Sequence, residues 1–328
     1  MDIEFERFRA DIDQAAARIQ GFVSPSPLLR SNRLNRQLSL NLLLKAENLQ
    51  PTGSFKIRGA LNSILQVLRQ QQVDRVLAFS SGNHGIGVAY ACRLLGLFAT
   101  IVIPDDAPRA KAERIRALGA DIVTYCRKTE DRERVAEQLQ SAAQMPLIKP
   151  YDDWHTICGQ GSCAVEVIQQ YRQRLDAAIV CTGGGGLIAG VGSYLKGPYP
   201  DINLFSAEPD GWDDHRLSLD RGERIAASAS GSTWCDGLLA PIPGELTFRI
   251  NITNQVRGFT ADDNSVAEAM TLIWRTFGLR VEPSGAVALA SLLSRKQQFA
   301  GQTVLVTLTG GNVDSERFFE CTGIATPG

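Results

Sequence analysis

The sequence predicts an α/β protein built on largely parallel sheets, and three observations predict it. Apolar runs of strand length alternate with amphipathic segments of helix length from Val76 to Leu308. Glycine and proline fall mainly at the joints between these segments. Two polar, glycine-bearing turns directly follow strand-like runs and open helical patterns, which is where sites in such sheets lie. The 328 residues suffice for one large domain or two ordinary ones with a substantial core.

Taken in order, a helix is expected over Asp2 to Gln20. Strand-like runs are Val76 to Phe79, Ala99 to Ile103, Asp121 to Tyr125, Ala177 to Cys181, Asn203 to Ala207 and Val304 to Leu308. Helical patterns occupy His84 to Leu95, Pro108 to Leu118, Glu130 to Ala143, Gln160 to Tyr171, Leu187 to Leu195 and Asp262 to Phe277. Gly96 and Gly119 are placed as helix C-caps, and Pro108 suits a first helical position. Pro198 to Pro200 and Pro241 to Glu245 read as surface loops. No linker, repeat or low-complexity tract interrupts the pattern.

Composition narrows the function classes. Hydrophobic residues make up 44% and charged residues 21%, the balance of a soluble globular protein. The formal net charge of −1 provides no global field for nucleic acid or an anionic membrane. No run approaches the ~18 apolar residues of a membrane span. The start, M-D-I-E-F-E-R-F-R-A, lacks the apolar middle of a secretion signal. Seven cysteines without C-x-x-C spacing argue against a disulfide framework or structural zinc, so a reducing, cytoplasmic compartment is expected. Cys92, Cys181 and Cys321 read as small core residues.

Three stretches carry the chemistry: T-G-S-F-K-I-R-G-A (Thr52 to Ala60), S-S-G-N-H-G (Ser80 to Gly85) and T-G-G-G-G-L-I-A-G (Thr182 to Gly190). Lys56 follows a Gly-Ser turn and precedes a helix start, a position where a lysine sheds its proton more easily. Arg58 reads as structural. Gly183 to Gly186 make a tight strand-to-helix turn that also lets backbone N–H groups converge on an anion. They do not fit the G-x-G-x-x-G fingerprint cleanly, and no convincing acidic residue ends a second strand about 20 residues later, so dinucleotide binding is a poor second reading. A Schiff-base lysine, a donor-rich turn and a phosphate cup together are what a pyridoxal phosphate enzyme needs.

In this order, with Thr309-Gly310-Gly311-Asn312-Val313-Asp314 as a fourth segment, the motifs resemble the serine/threonine dehydratase and serine racemase group of fold-type II pyridoxal phosphate enzymes. The similarity runs from about residue 20 to 320. It implies a tryptophan synthase β-like fold of two open, mainly parallel sheets flanked by helices, with the cofactor in the cleft between them. Residues 1–74 and 151–328 would form a large cofactor-binding domain, and residues 75–150 a small mobile domain. Lys56 matches the Schiff-base lysine, Phe55 the residue beside it, and Asn83 the partner of the cofactor's 3-hydroxyl. Gly183, Gly184, Gly185, Gly186 and Leu187 match the phosphate loop, and Thr309 the hydroxyl facing the pyridine nitrogen. Glu282 matches a glutamate near the cofactor, and reads equally as a charge at a helix start before Pro283. Ser80, Ser81, Gly82, Asn83 and His84 resemble the clamp for the substrate carboxylate. Ser81 also matches the serine that faces the lysine across the cofactor in racemases, or it caps a helix. Arg132 lies where relatives place an arginine near the substrate, and otherwise reads as a solvated helix residue. Tyr151 stands where racemases carry an asparagine.

The acidic segment Glu208 to Asp214 is either a solvated loop or a divalent-cation site, with Glu208, Asp214 and the Trp212 carbonyl as ligands by resemblance. Magnesium, calcium and manganese all suit these oxygens. The implied reaction is α,β-elimination of an L-serine- or L-threonine-type 3-hydroxy amino acid to a 2-oxo acid and ammonia. Racemisation, a 3-hydroxyaspartate or phenylserine substrate, and a non-catalytic cofactor-binding protein are the alternatives. A homodimer is expected from the resemblance, with no nucleic-acid or membrane partner.

Overall fold

The computed structural model describes residues 4–80, 82–107, 109–227 and 231–325. The chain opens with helix α1 (Phe5–Ile19), whose Phe8, Ile12, Ala15 and Ile19 form one buried stripe at helical spacing. It continues through β1 (Leu28–Leu29), α2 (Asn32–Leu38), β2 (Asn41–Ala46) and α3 (Lys56–Gln70). A three-strand segment follows: β3 (Arg75–Phe79), α4 (Asn83–Leu95), β4 (Phe98–Pro104), α5 (Arg109–Ala117), β5 (Asp121–Tyr125) and α6 (Arg132–Ala143). Next come α7 (Trp154–Gln170), β6 (Ala177–Cys181), α8 (Gly186–Leu195), β7 (Asn203–Pro209) and α9 (Asp214–Arg221). The last elements are α10 (Glu245–Thr253), β8 (Arg257–Ala261), α11 (Asp263–Phe277), α12 (Pro283–Leu293), β9 (Thr303–Leu308) and α13 (Ser315–Thr322).

Two sheets result. One has six strands in the order β1-β2-β9-β6-β7-β8, parallel except where β1 runs against β2. The other is the parallel ribbon β3-β4-β5. The predicted fold class therefore holds. The register pairs Ala46 with Leu308 and Ile179 with Val306, so β2, β9 and β6 end close together. Their carboxyl ends release the loops carrying Lys56, Thr309 and the tetraglycine, and β3 releases Ser80 to Asn83.

All six predicted strands are present, but β1, β2 and β8 were not foreseen. In β2 (N-L-L-L-K-A) a lysine interrupts the apolar run, yet Lys45 is buried and satisfied by Ser26 O at 2.7 Å and Glu166 Oε2 at 2.6 Å. Strand β8 (R-G-F-T-A) begins with arginine and carries a glycine, as edge strands tolerate. Helix α7 starts at Trp154, earlier than Gln160, because the Asp153 carboxylate accepts the Thr156 N–H as an N-cap. Gly96 is left-handed as expected of a C-cap (φ +69°). Pro108 lies outside the described residues. Pro241 to Glu245 is not simply a surface loop: Pro243 and Gly244 are buried, and the Gly244 N–H donates to Gly184 O at 3.4 Å. The segment braces the glycine turn from behind.

Arg58 is structural, as the sequence suggested. Its guanidinium donates to Glu47 Oε2 at 2.7 Å and Glu166 Oε1 at 2.7 Å, and Lys45 completes the cluster through Glu166. This buried group of two cations and two carboxylates anchors the first turn of α3, where Lys56 sits.

Candidate active site

A cleft of about 700 Å³ opens between the two sheets and gathers the predicted motifs. Lys56 is the first residue of α3, half-buried, with its amine on the cleft. Two backbone ties hold it there. The Phe55 N–H donates to Thr309 O at 3.1 Å, and Ser54 bridges Gly310 in antiparallel fashion. The amine donates to Pro150 O at 2.8 Å and stands 5.1 Å from the centre of the Phe55 ring. Desolvation first, and the nearby Arg132 charge second, lower its pKa to about 7. A lysine so placed is largely a free amine just above neutrality.

The Gly183 to Leu187 turn forms the opposite wall. Gly185 has φ +90°, and a Cβ there would lie 2.4 Å from His215 Cε1. A Cβ on Gly184 would lie 2.3 Å from the Tyr151 ring. Among the described residues no backbone N–H from Gly183 to Ile188 meets an acceptor, so the turn and the first turn of α8 present free donors.

Asn83, first residue of α4, donates Nδ2 to Glu282 Oε1 at 2.6 Å and accepts at Oδ1 from Asn312 Nδ2 at 2.6 Å. Glu282 is both the N-cap residue of α12, with Pro283 behind it, and a wall of the cleft. Burial, then the Asp236 charge, raise its carboxyl to about 7. Thr309 is buried at the end of β9 and lines the cleft beside Cys181.

Ser80 and Gly82 lead into α4, with the Gly82 N–H donating to Ser80 Oγ at 3.1 Å, and both line the cleft. Ser81 lies outside the described residues. The His84 ring is buried and its Nε2 bonds Ile148 O at 2.8 Å. Desolvation, then the Lys56 charge, lower its pKa to about 3, so His84 is neutral and no proton shuttle. What His84 can offer an anion is its backbone N–H in the first turn of α4.

Arg132 opens α6 and faces the cleft, its guanidinium 5.6 Å from the Phe79 ring centre. Among the described residues no carboxylate pairs with it. Tyr151 also lines the cleft, and burial pushes its phenol up to about 12. Sequence reasoning missed Lys111, Arg114 and Arg127 on the rim. They lie on the exposed faces of α5 and the turn after β5, where single cations carry no pattern. It also missed Asn312 as a site residue, although its motif was visible.

The acidic segment stands apart from the cleft. Glu208 and Asp214 are fully buried. Glu208 accepts the N–H groups of His215 and Arg216 at 2.8 Å each. Both Asp214 carboxylate oxygens lack a partner among the described residues, and burial raises Asp214 to about 8. Burial and the Asp214 charge also push Glu208 well up. Two buried carboxylates, with both Asp214 oxygens unpartnered among the described residues, suit a hard cation completed by carbonyl or water oxygens. Among the described residues no cluster of three or more His, Cys, Asp or Glu exists, so the side chains alone do not make a full ligand set. No described helix is long and apolar enough to cross a membrane.

The cleft fits pyridoxal phosphate: it offers free N–H donors that suit a phosphate, a lysine poised as a free amine, and the polar side chains of Asn83 and Thr309 on its lining. Comparison with known proteins agrees. The pyridoxal-phosphate dependent enzyme family matches residues 19–310. An L-threo-3-hydroxyaspartate ammonia-lyase of Pseudomonas sp is 39% identical over 94% of this chain and 96% of its own. A serine racemase of Dictyostelium discoideum is 38% identical over 93% of this chain and 94% of its own. The crystal structure of a T.th. threonine deaminase superposes with a TM-score of 0.87 at 38% identity, covering 93% of this chain and 98% of that one. With the cleft, its lysine and its glycine cup in place, these likenesses mean that the chain belongs to the pyridoxal-phosphate dependent enzymes of fold type II, in the serine/threonine dehydratase and serine racemase group.

Proposed function

We propose that the chain, an ammonia-lyase of this family, removes water from L-3-hydroxy amino acids to give a 2-oxo acid and ammonia. Its favoured substrate carries a second carboxylate, as L-threo-3-hydroxyaspartate does. The observation that carries the elimination reading is Lys56, held on the cleft with a pKa near 7. Bound pyridoxal phosphate supplies an electron sink for the charge left at the substrate Cα. The chain does the rest. The first turn of α4 offers N–H donors to the substrate α-carboxylate, and the Lys56 amine takes the α-proton. The free donors of Gly183 to Ile188 hold the cofactor phosphate. Asn83 and Thr309 fix the ring, and neutral His84 keeps a competing charge out of the clamp.

Arg132 favours the dicarboxylate. It faces the cleft close enough to influence Lys56, without a carboxylate partner among the described residues. A buried or half-buried guanidinium gains most from a bidentate carboxylate. The Pseudomonas relative named for hydroxyaspartate supports the same choice. The test is 2-oxo acid release from L-threo-3-hydroxyaspartate, L-serine, L-threonine and phenylserine. Hydroxyaspartate is expected to rank first, and Arg132→Ala to lower its kcat/KM about 10- to 100-fold while changing L-serine little. No release from any of them would overturn the ammonia-lyase reading. Racemisation is the second reading, favoured by the racemase relatives, and D-serine formation from L-serine reports it.

A divalent cation at Glu208 and Asp214, with the Trp212 carbonyl, belongs to the same proposal, as does a homodimer. The unpartnered Asp214 oxygens support the cation. Magnesium or calcium is expected to raise the melting temperature by at least about 2 °C over chelator-treated protein. Asp214→Asn is expected to remove that shift, and an equal shift in the variant would overturn the site. Sedimentation of the purified protein tests the dimer.

A further inference from the structure

We propose that Arg114 is a positioning residue: it reaches across the cleft and, through Asn312, fixes the Asn83 amide that faces the cofactor. The inference rests on the pyridoxal phosphate reading of the cleft. Arg114 lies on α5, on the side of the three-stranded sheet, and none of the sequence motifs includes it. Its Nη1 donates to Asn312 Oδ1 at 2.7 Å, and its Nη2 to Thr52 O at 3.4 Å.

A guanidinium has donors only, so the group facing it must be the Asn312 carbonyl oxygen. Asn312 then presents Nδ2, which donates to Thr52 O at 2.9 Å and Asn83 Oδ1 at 2.6 Å. Asn83 is turned in consequence: its own Nδ2 points to Glu282 Oε1 at 2.6 Å, with one hydrogen left to donate. That hydrogen is the one the cofactor's 3-oxygen needs. Were Asn83 reversed, its Nδ2 would face the Asn312 Nδ2, donor against donor. The polarity of the whole chain of amides is therefore set at its outer end, by Thr52 from one side of the cleft and Arg114 from the other.

The relay is sterically keyed. A Cβ on Gly53 would lie 2.1 Å from Asn312 Oδ1, and one on Gly310 would lie 2.0 Å from Glu282 Oε1. It also stitches the cleft. Arg114 and Asn83 belong to the three-stranded side, Asn312 and Glu282 to the six-stranded side, so each successive bond crosses from one to the other. The orientation of Asn83 is thus tied to bonds from both sides of the cleft. Arg109, on the same helix, pairs with Glu113 on the exposed surface and neither lines the cleft nor bonds to the relay, which makes it a natural control.

The experiment compares Arg114→Ala, Arg114→Lys and Arg109→Ala holoenzymes. It reads the visible absorption band of bound pyridoxal phosphate, the affinity of the apoprotein for it, and kcat and KM separately. Arg114→Ala is expected to shift the band, weaken cofactor binding about three- to tenfold and act mainly on kcat, the scale of one lost hydrogen bond. Arg114→Lys, also a pure donor, is expected to restore part of each. Arg109→Ala is expected to leave the band where the unmodified protein has it. An unchanged band and affinity in Arg114→Ala, or an equal shift in Arg109→Ala, would overturn the proposal. An unmodified chain that takes up no pyridoxal phosphate would overturn the underlying reading with it.

Discussion

Lys56→Ala is expected to lower 2-oxo acid release by about 10⁴-fold or more, because on the proposed reading it removes both the cofactor's covalent anchor and the base at the substrate Cα. Lys56→Arg is expected to fail equally, since a guanidinium is never a free amine near neutrality. The fold should survive the alanine change. Among the described residues Lys56 has no ion-pair partner, and a neutral side chain relieves the desolvation that lowers its pKa to about 7. The pH dependence follows from the sign of that shift. Below about 7 the amine is protonated and cannot bond a carbonyl, so capture of pyridoxal phosphate should rise about tenfold per pH unit up to about 7 and flatten above it. The burial penalty on the charged form works the same way on stability. The unfolded lysine stays protonated to its ordinary value of 10.5, so the penalty is felt in full below about 7 and fades as pH rises between the two. Borohydride trapping followed by peptide mass analysis locates the attachment and measures its pH profile. Trapping at another lysine, or unchanged turnover in Lys56→Ala, would sink the assignment of this site.

What was legible in the sequence depended on the distance over which each signal acts. Strands such as Ala177 to Cys181 are buried on both faces and announce themselves as unbroken apolar runs. The tetraglycine and the Lys56 turn are legible because their chemistry is compressed into a few consecutive residues. Lys45 hid β2 because its charge is cancelled by Glu166, a residue far away in the chain. Asn312 and Arg114 were illegible as site residues for the same reason: each acquires a role only when partners from distant segments arrive. Arg132 lies between these cases. Its helical pattern read equally as solvated or functional, and only the three-dimensional cleft separates the two. The acidic segment was legible as a cluster, but that Asp214 is buried with neither oxygen partnered among the described residues is a fact of packing.

Arg58→Ala is expected to cost about 3–5 kcal/mol of stability, the largest effect of any substitution outside the cleft, because it leaves buried carboxylates without their cation. The Arg58 side chain is 1% exposed and Glu47 0%, so water does not substitute for the lost partner. Burial alone would raise the Glu47 carboxyl, but Arg58, with smaller help from Lys45 and Ser26, holds it below its ordinary value. That sign fixes the pH behaviour. The stability contributed by Glu47 is present above its unfolded pKa of about 4.5 and is lost as pH falls through the lower folded value. In Arg58→Ala the order reverses: the stranded carboxylate favours its protonated form, so the variant should lose least at mildly acidic pH. Urea melts at pH 5 and pH 7.5 measure this as a change in midpoint at constant slope. Pairing the change as Arg58→Met with Glu47→Gln is expected to recover part of the loss, because one buried carboxylate is then neutral and Lys45 still serves Glu166. The consequence reaches the chemistry, since Arg58 lies in the first turn of α3, which Lys56 begins. A variant as stable and as active as the parent at both pH values would show that the cluster does not anchor the lysine.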